Sequence, residues 1–302
     1  MEMEPSVNFK EELLQRTEEA EQILVSWLPA EEGFAENLAR SMNYSMLAGG
    51  KRLRPILMRE TYRMFGGTGP VIEPFMAGME MIHTHSLIHD DLPALDGDEY
   101  RRGKQTTWVA FGESQAILAG DALLNLAYET FLRGLLLCGG DMRTGVRAME
   151  AIASRTGLSG MLGGQSVDVE NDGKPLELPA LEYIYRSKTS ALIEASMMAG
   201  AILAGAQEQK VEVIRQAALY IGMAFQIQDD ILDLTSTDEV LGKPVGSDEK
   251  NHKITYVSLV GMDRALRDVE EMSEKALALM DSLEEENLFL SCLIRELIHR
   301  KK

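Results

Sequence analysis

Residues 86–107, SLIHDDLPALDGDEYRRGKQTT, place Asp90, Asp91, Asp96, Asp98 and Glu99 within ten positions and follow them with Arg101, Arg102 and Lys104. A second acidic set, Asp229, Asp230 and Asp233, sits in AFQIQDDILDL. Both sets interrupt apolar, helix-forming runs, where an unpaired charge is costly to desolvate. Carboxylates gathered there, with no cysteine or paired histidine ligands, suit a hard divalent cation. Mg²⁺ fits best, because it is held by a few carboxylates together with phosphate oxygens of a ligand.

Basic residues supply the complementary chemistry. GGKRLRP offers Gly49, Gly50, Lys51, Arg52 and Arg54; glycines let backbone N–H groups approach an anion, and arginine binds phosphate bidentately. Taken alone, this stretch also reads as a solvated loop before a helix, and Arg101 and Arg102 as partners of Asp96 and Asp98. Lys188 and Thr189 of SKTS differ, since they interrupt a mostly apolar helical stretch and so face a cavity. Lys243 and Lys253 follow the second acidic set, in loops. His83, His85 and His89 are spaced i, i+2, i+6, which does not put all three on one helix face, so they read as packed or phosphate-bonded rather than as metal ligands.

The elements that must position these groups are helical throughout. The spacing of apolar residues predicts about ten helices, near 9–26, 33–47, 52–66, 71–91, 113–138, 141–163, 179–205, 208–234, 252–281 and 283–300, with no sustained strand alternation. Several are apolar almost all round and therefore deeply buried. Pro93 cannot continue the helix ending at Asp90-Asp91, and a break there would fold Asp96 back toward Asp90. Asp229 and Asp233 are i and i+4 and share a face. The Gly-, Pro- and charge-rich breakers do not resemble a flexible linker, so residues 1–302 read as a single all-α domain.

Composition narrows the function. The net charge of −18 argues against a general nucleic-acid partner but allows a small phosphorylated ligand. Cys138 and Cys292 make no disulfide framework and suit a reducing cytoplasm. The N-terminal MEMEPSVNFKEELLQ lacks the apolar core of a signal peptide, and no apolar run is long enough to span a membrane.

DDLPALD with RRG, GGKRLRP upstream, and GQSVD, SKTS and QIQDDILD downstream resemble the short-chain trans-isoprenyl diphosphate synthases, most nearly the bacterial farnesyl and geranylgeranyl enzymes. The resemblance covers roughly residues 40–260. It implies an all-α fold of mostly antiparallel helices around a central cavity, a homodimer, and head-to-tail condensation of isopentenyl diphosphate with an allylic diphosphate. It further implies three Mg²⁺ ions per active site, with Asp90, Asp91, Asp96, Asp229 and Asp233 as their ligands and Asp230 in support. Arg101, Lys188 and Lys243 would hold the allylic diphosphate. Gly50, Lys51, Arg54, His83 and Arg102 would hold isopentenyl diphosphate, and Lys253 would face a diphosphate. Thr189 and Gln226 would line the site beside the developing cation. His85, with Ser86, occupies the position where the family stops chain growth, which implies mainly a C15 product. The alternatives are a C20 synthase and a non-catalytic regulatory subunit. A terpene cyclase shares the aspartate-rich logic but has no use for GGKRLRP and His83.

Overall fold

The computed structural model describes residues 8–137, 141–235 and 254–298. The described residues are all-α apart from one hairpin of two-residue strands. The chain forms two compact units, Met1–Arg59 with Thr68–Met149, and Glu60–Gly67 with Glu150–Lys302. No helix among the described residues is long and apolar enough to cross a membrane.

The first unit contains α1 (Asn8–Ser26), α2 (Glu36–Met46), the start of α3 (Leu53–Met64), α4 (Ile72–Asp90), the strands β1 (Tyr100–Arg101) and β2 (Lys104–Gln105), α5 (Thr107–Phe111) and α6 (Glu113–Leu137). Its core is α4 against α6. Phe75 stacks on Phe131 with ring centroids 4.9 Å apart. Gly78 stands where a Cβ would lie 2.2 Å from that same Phe131 ring, so the two helices approach as they do only because α4 has no side chain there. α4 ends at Asp90 as Pro93 requires, and the chain then doubles back, with the Asp96 N–H donating to the Asp90 carbonyl at 2.9 Å and that of Gly97 to Leu92 at 3.1 Å. The fold-back toward Asp90 is therefore a backbone feature.

Where a plain loop was expected, the chain forms a hairpin with Tyr100 opposite Gln105 and Arg101 opposite Lys104. Arg102 and Gly103 turn it with φ of +52° and +75°, the pattern of a type I′ turn.

The second unit contains α7 (Met142–Thr156), whose first turns belong to the first unit, then α8 (Met161–Glu170), α9 (Leu178–Ile184), a π-helical turn (Tyr185–Ser190), α10 (Ala191–Leu203), α11 (Glu208–Thr235), α12 (Tyr256–Val260), α13 (Met262–Asp281) and α14 (Leu288–Ile298). α11 is its axis and packs against α10, α13, α14 and the π-helical turn. Two expected helices are divided and a third changes register. The one near 141–163 breaks around Gly157 and Gly160, and the one near 252–281 breaks at Gly261, where φ is +83°. The one near 179–205 is continuous but changes register through the π-helical turn. The last helix starts later than expected, at Leu288, because Asn287 caps it: its Oδ1 accepts from the Leu290 N–H at 2.9 Å.

Candidate active site

A cavity of about 550 Å³ in the first unit is lined by Gly50, Lys51, Arg52, Arg54, Glu80, His83 and Arg102, with Ala48 and Leu53. Among the described residues, Arg52 (φ +48°) and Arg102 (φ +52°) are the only non-glycine residues with positive φ, and both line this cavity. Such backbone strain persists where the surroundings over-determine it, and it concentrates at functional sites. Arg52 is buried, donating to Glu80 at 2.8 Å and to the Met46 carbonyl at 2.7 Å, and Glu80 is buried with it. Arg102 donates to the Gly49 carbonyl. Gly50, at φ +140°, leaves room for that guanidinium, which a Cβ would meet at 2.6 Å.

Arg54 Nη1 lies 3.2 Å from His83 Nε2. A guanidinium only donates, so this nitrogen accepts and the proton of the neutral ring sits on Nδ1. Burial holds the His83 imidazole well below its ordinary value, and the surrounding arginines, Arg54 first, push it the same way. Its described lining residues thus carry four cationic side chains, one neutral imidazole donor and a single carboxylate, Glu80. Among the described residues, the buried donors His83 Nδ1 and Arg54 Nε have no hydrogen-bond partner. This arrangement suits a compact polyanion.

Beside it, Asp91 is buried and its carboxylate is gripped by Arg101: Nε donates to Oδ1 at 2.7 Å and Oδ2 at 3.0 Å, and Nη2 to Oδ1 at 2.5 Å. Burial raises the Asp91 carboxyl against the lowering pull of Arg101. Burial alone would lower the Arg101 guanidinium, but its bonds to Asp91 outweigh this and raise it. Arg101 is thereby fixed as a cation at the hairpin. Asp90 is half-buried and Asp96 exposed.

In the second unit, Lys188 Nζ donates to Asp168 Oδ2 at 2.8 Å, and Thr189 Oγ1 to Gln226 Oε1 at 2.8 Å. Lys188 and Thr189 both lie in the π-helical turn, a feature that recurs at functional sites. Asp229 is half-buried, whereas Asp230 and Asp233 are buried. Asp230 Oδ2 accepts from the Tyr185 hydroxyl at 2.5 Å and the Tyr256 N–H at 2.7 Å.

Two helical glycines seat the turn. A Cβ at Gly164 of α8 would lie 2.6 Å from Lys188 N, and one at Gly222 of α11 would lie 2.5 Å from Ser190 Cα. Gly164→Ala must displace backbone, so it is expected to cost about 2 kcal/mol and to weaken any ligand of Lys188. A thermal melt with direct binding of inorganic pyrophosphate checks both effects.

The residues at hand fit a hard cation. Both acidic sets lie at or near the C-terminal ends of their helices, α4 and α11, where the backbone dipole is negative and favours a positive charge. Their donors are all oxygens. Among the described residues no three His, Cys, Asp or Glu side chains form a complete metal cage. Mg²⁺ takes its remaining ligands from water and substrate phosphate, so it needs no such cage.

The structure therefore brings Gly50, Lys51, Arg54, His83 and Arg102 to one cavity, pairs Thr189 with Gln226, and gives Arg101 and Lys188 carboxylate partners. Lys243 and Lys253 lie outside the described residues. His85 is buried in α4, with Nδ1 3.1 Å from the Gly120 carbonyl. Burial, helped by neighbouring His89, lowers its imidazole to about 4, so it is neutral at ordinary pH. Ser86 Oγ bonds back to the His83 carbonyl at 2.8 Å. Sequence reasoning missed Glu80, Tyr185 and Tyr256 as partners, and gave Asp168 no role. Glu80 did carry a signal, as a lone acid in the middle of an apolar helix.

The polyprenyl synthetase family model matches residues 35–289. A farnesyl diphosphate synthase of Geobacillus stearothermophilus is 45% identical over 229 residues, covering 74% of this chain and 75% of the relative. A geranylgeranyl diphosphate synthase of Cyanophora paradoxa is 42% identical over 275 residues, covering 91% and 90%. A solved geranyltransferase of Helicobacter pylori, complexed with magnesium and isoprenyl diphosphate, superposes with a TM-score of 0.81 at 27% identity and covers 97% of each chain.

Proposed function

The chain belongs to the polyprenyl synthetase family, and on that premise we propose that it condenses isopentenyl diphosphate with dimethylallyl or geranyl diphosphate to give mainly farnesyl diphosphate (C15). It is a trans-prenyltransferase with the all-α isoprenoid synthase fold. The observation that carries the reading is the cationic cavity, where Gly50, Lys51, Arg54, His83 and Arg102 converge with two strained arginine backbones.

In this reading that cavity holds the diphosphate of isopentenyl diphosphate, with His83 donating as a neutral imidazole. Arg101, Lys188 and Lys243 hold the allylic diphosphate, and Lys253 faces a diphosphate. The allylic C–O bond breaks heterolytically, and the diphosphate leaves with the electron pair. The double bond of isopentenyl diphosphate attacks the allylic carbon. A proton is then lost from the carbon beside the new cation, and the released diphosphate takes it. Arg101 and Lys188 stabilise the charge that grows on the leaving oxygen, fixed in advance by Asp91 and Asp168. Thr189 and Gln226 present lone pairs near the cation without being strong nucleophiles. Fixing both diphosphates aligns the double bond with the reacting carbon.

The family is Mg²⁺-dependent, and we place three ions per active site on Asp90, Asp91, Asp96, Asp229 and Asp233; the magnesium in the Helicobacter structure supports the choice of metal. When bound, Mg²⁺ shares the negative charge of the leaving diphosphate. A homodimer is part of the proposal, supported by the exposed Leu118, Leu132 and Leu136 on α6. A cytoplasmic setting is supported by the low cysteine content.

The test is product analysis after incubation of the protein and Mg²⁺ with isopentenyl diphosphate and each allylic primer. Failure to extend any primer would overturn the reading. A geranylgeranyl (C20) product would replace only the chain length, the alternative that the Cyanophora relative supports. His85→Ala is expected to shift products from C15 toward C20 or longer, read by chromatography. An unchanged profile would rule out His85 as the floor of the chamber.

A further inference from the structure

Three elements of the second unit meet on one oxygen atom. Tyr185, buried and first in the π-helical turn, donates its hydroxyl to Asp230 Oδ2 at 2.5 Å, and the Tyr256 N–H donates to the same atom at 2.7 Å and lies 3.3 Å from the Tyr185 hydroxyl. Asp230 itself is 3% exposed and sits between Asp229 and Asp233 on α11. Tyr256 is the first residue of α12, so the contact also satisfies a backbone donor that the helix leaves orphaned. The oxygen thus joins the turn presenting Lys188 and Thr189, the helix carrying the second acidic set, and the start of α12.

A π-helical turn holds one more residue than an α-turn and relaxes to α geometry unless tertiary contacts oppose it. Relaxation by one residue would rotate the side chains on one side of the turn by about 100° relative to those on the other. Gly164 and Gly222 leave space for the turn but exert no pull on it. The Tyr185–Asp230 hydrogen bond does pull, at the end where the turn begins, while the bonds of Lys188 to Asp168 and Thr189 to Gln226 act farther along it.

We propose that Tyr185 is a positioning residue for the transfer reaction, fixing the register of Lys188 and Thr189 against the second acidic segment through Asp230. The proposal rests on the reading in which Lys188 and Thr189 serve the allylic substrate. Its test includes a measurement that needs no substrate.

Tyr185→Phe keeps the ring and removes the hydroxyl. Tyr256→Phe is the control: it removes a bond in the same region, from the Tyr256 hydroxyl to Asp268 at 2.8 Å, and leaves the Tyr256 backbone N–H in place. Both full-length variants are compared with the parent by hydrogen exchange, thermal melting and steady-state kinetics. In Tyr185→Phe, exchange of the amides in residues 185–190 is expected to quicken about 10-fold. The allylic KM should rise and kcat should fall, together by roughly 10-fold or more, with the isopentenyl KM within twofold of the parent. Tyr256→Phe should lower the melting temperature without these changes. Unchanged exchange in the turn overturns the proposal whatever the activity, and so does an equal rise in both KM values or a Tyr256→Phe profile that matches. An inactive parent chain would remove the proposed function, and the exchange data would still decide whether Tyr185 sets the turn.

Discussion

Asp90→Ala is expected to lower kcat by roughly 100-fold or more while costing much less melting temperature than Asp91→Ala. The asymmetry follows from where Asp90 stands. It is half-buried at the last position of α4, and the C-terminal end of a helix disfavours negative charge by about 0.3–1 kcal/mol. Asp91, one residue on, should behave in the opposite way. Its carboxylate is buried and gripped by Arg101, so Asp91→Ala strands a guanidinium and lowers stability together with activity. Steady-state turnover of geranyl diphosphate and a thermal melt on both variants check this. A large fall in the melting temperature of Asp90→Ala, with little loss of turnover, would make Asp90 structural.

That contrast within one Asp-Asp pair was not legible in the sequence. Consecutive helical residues point about 100° apart, so one of the two must turn inward, but which one depends on the donor that the packing provides. For Asp91 the donor is Arg101, brought back by the fold-back after Pro93 and by the hairpin. For Asp230 it is Tyr185, forty-five positions away in sequence. The proline that ends α4 was readable from local chemistry. The hairpin was not, because its turn has Arg102 where Asn or Asp would have signalled positive φ. The long helices were readable from composition and period, yet the π-helical turn leaves no mark on apolar spacing over six residues. The basic cavity was legible residue by residue as GGKRLRP, His83 and Arg102. Its counter-charge was missed, since Glu80 acquires meaning only when Arg52 turns inward at positive φ to meet it.

Arg101→Met is expected to reduce stability and turnover together, and a second substitution separates the two. Methionine keeps the stem of the arginine but leaves the buried Asp91 carboxylate without its guanidinium. Removing one partner of a buried pair costs about 3–5 kcal/mol, and with the Arg101 side chain 32% exposed a loss of roughly 2 kcal/mol is the reasonable figure. Arg101→Met/Asp91→Asn leaves no stranded charge, so it should recover most of the melting temperature. It should not recover turnover, because the cation that meets the leaving diphosphate is still missing and Asp91, a proposed magnesium ligand, is changed with it; kcat/KM for the allylic substrate should stay about 100-fold down. The isopentenyl KM should hardly move, since Lys51, Arg54, His83 and Arg102 are untouched. If the double variant regains turnover along with stability, Arg101 serves only to neutralise Asp91. If both KM values rise equally, the two diphosphates do not divide the cations as proposed.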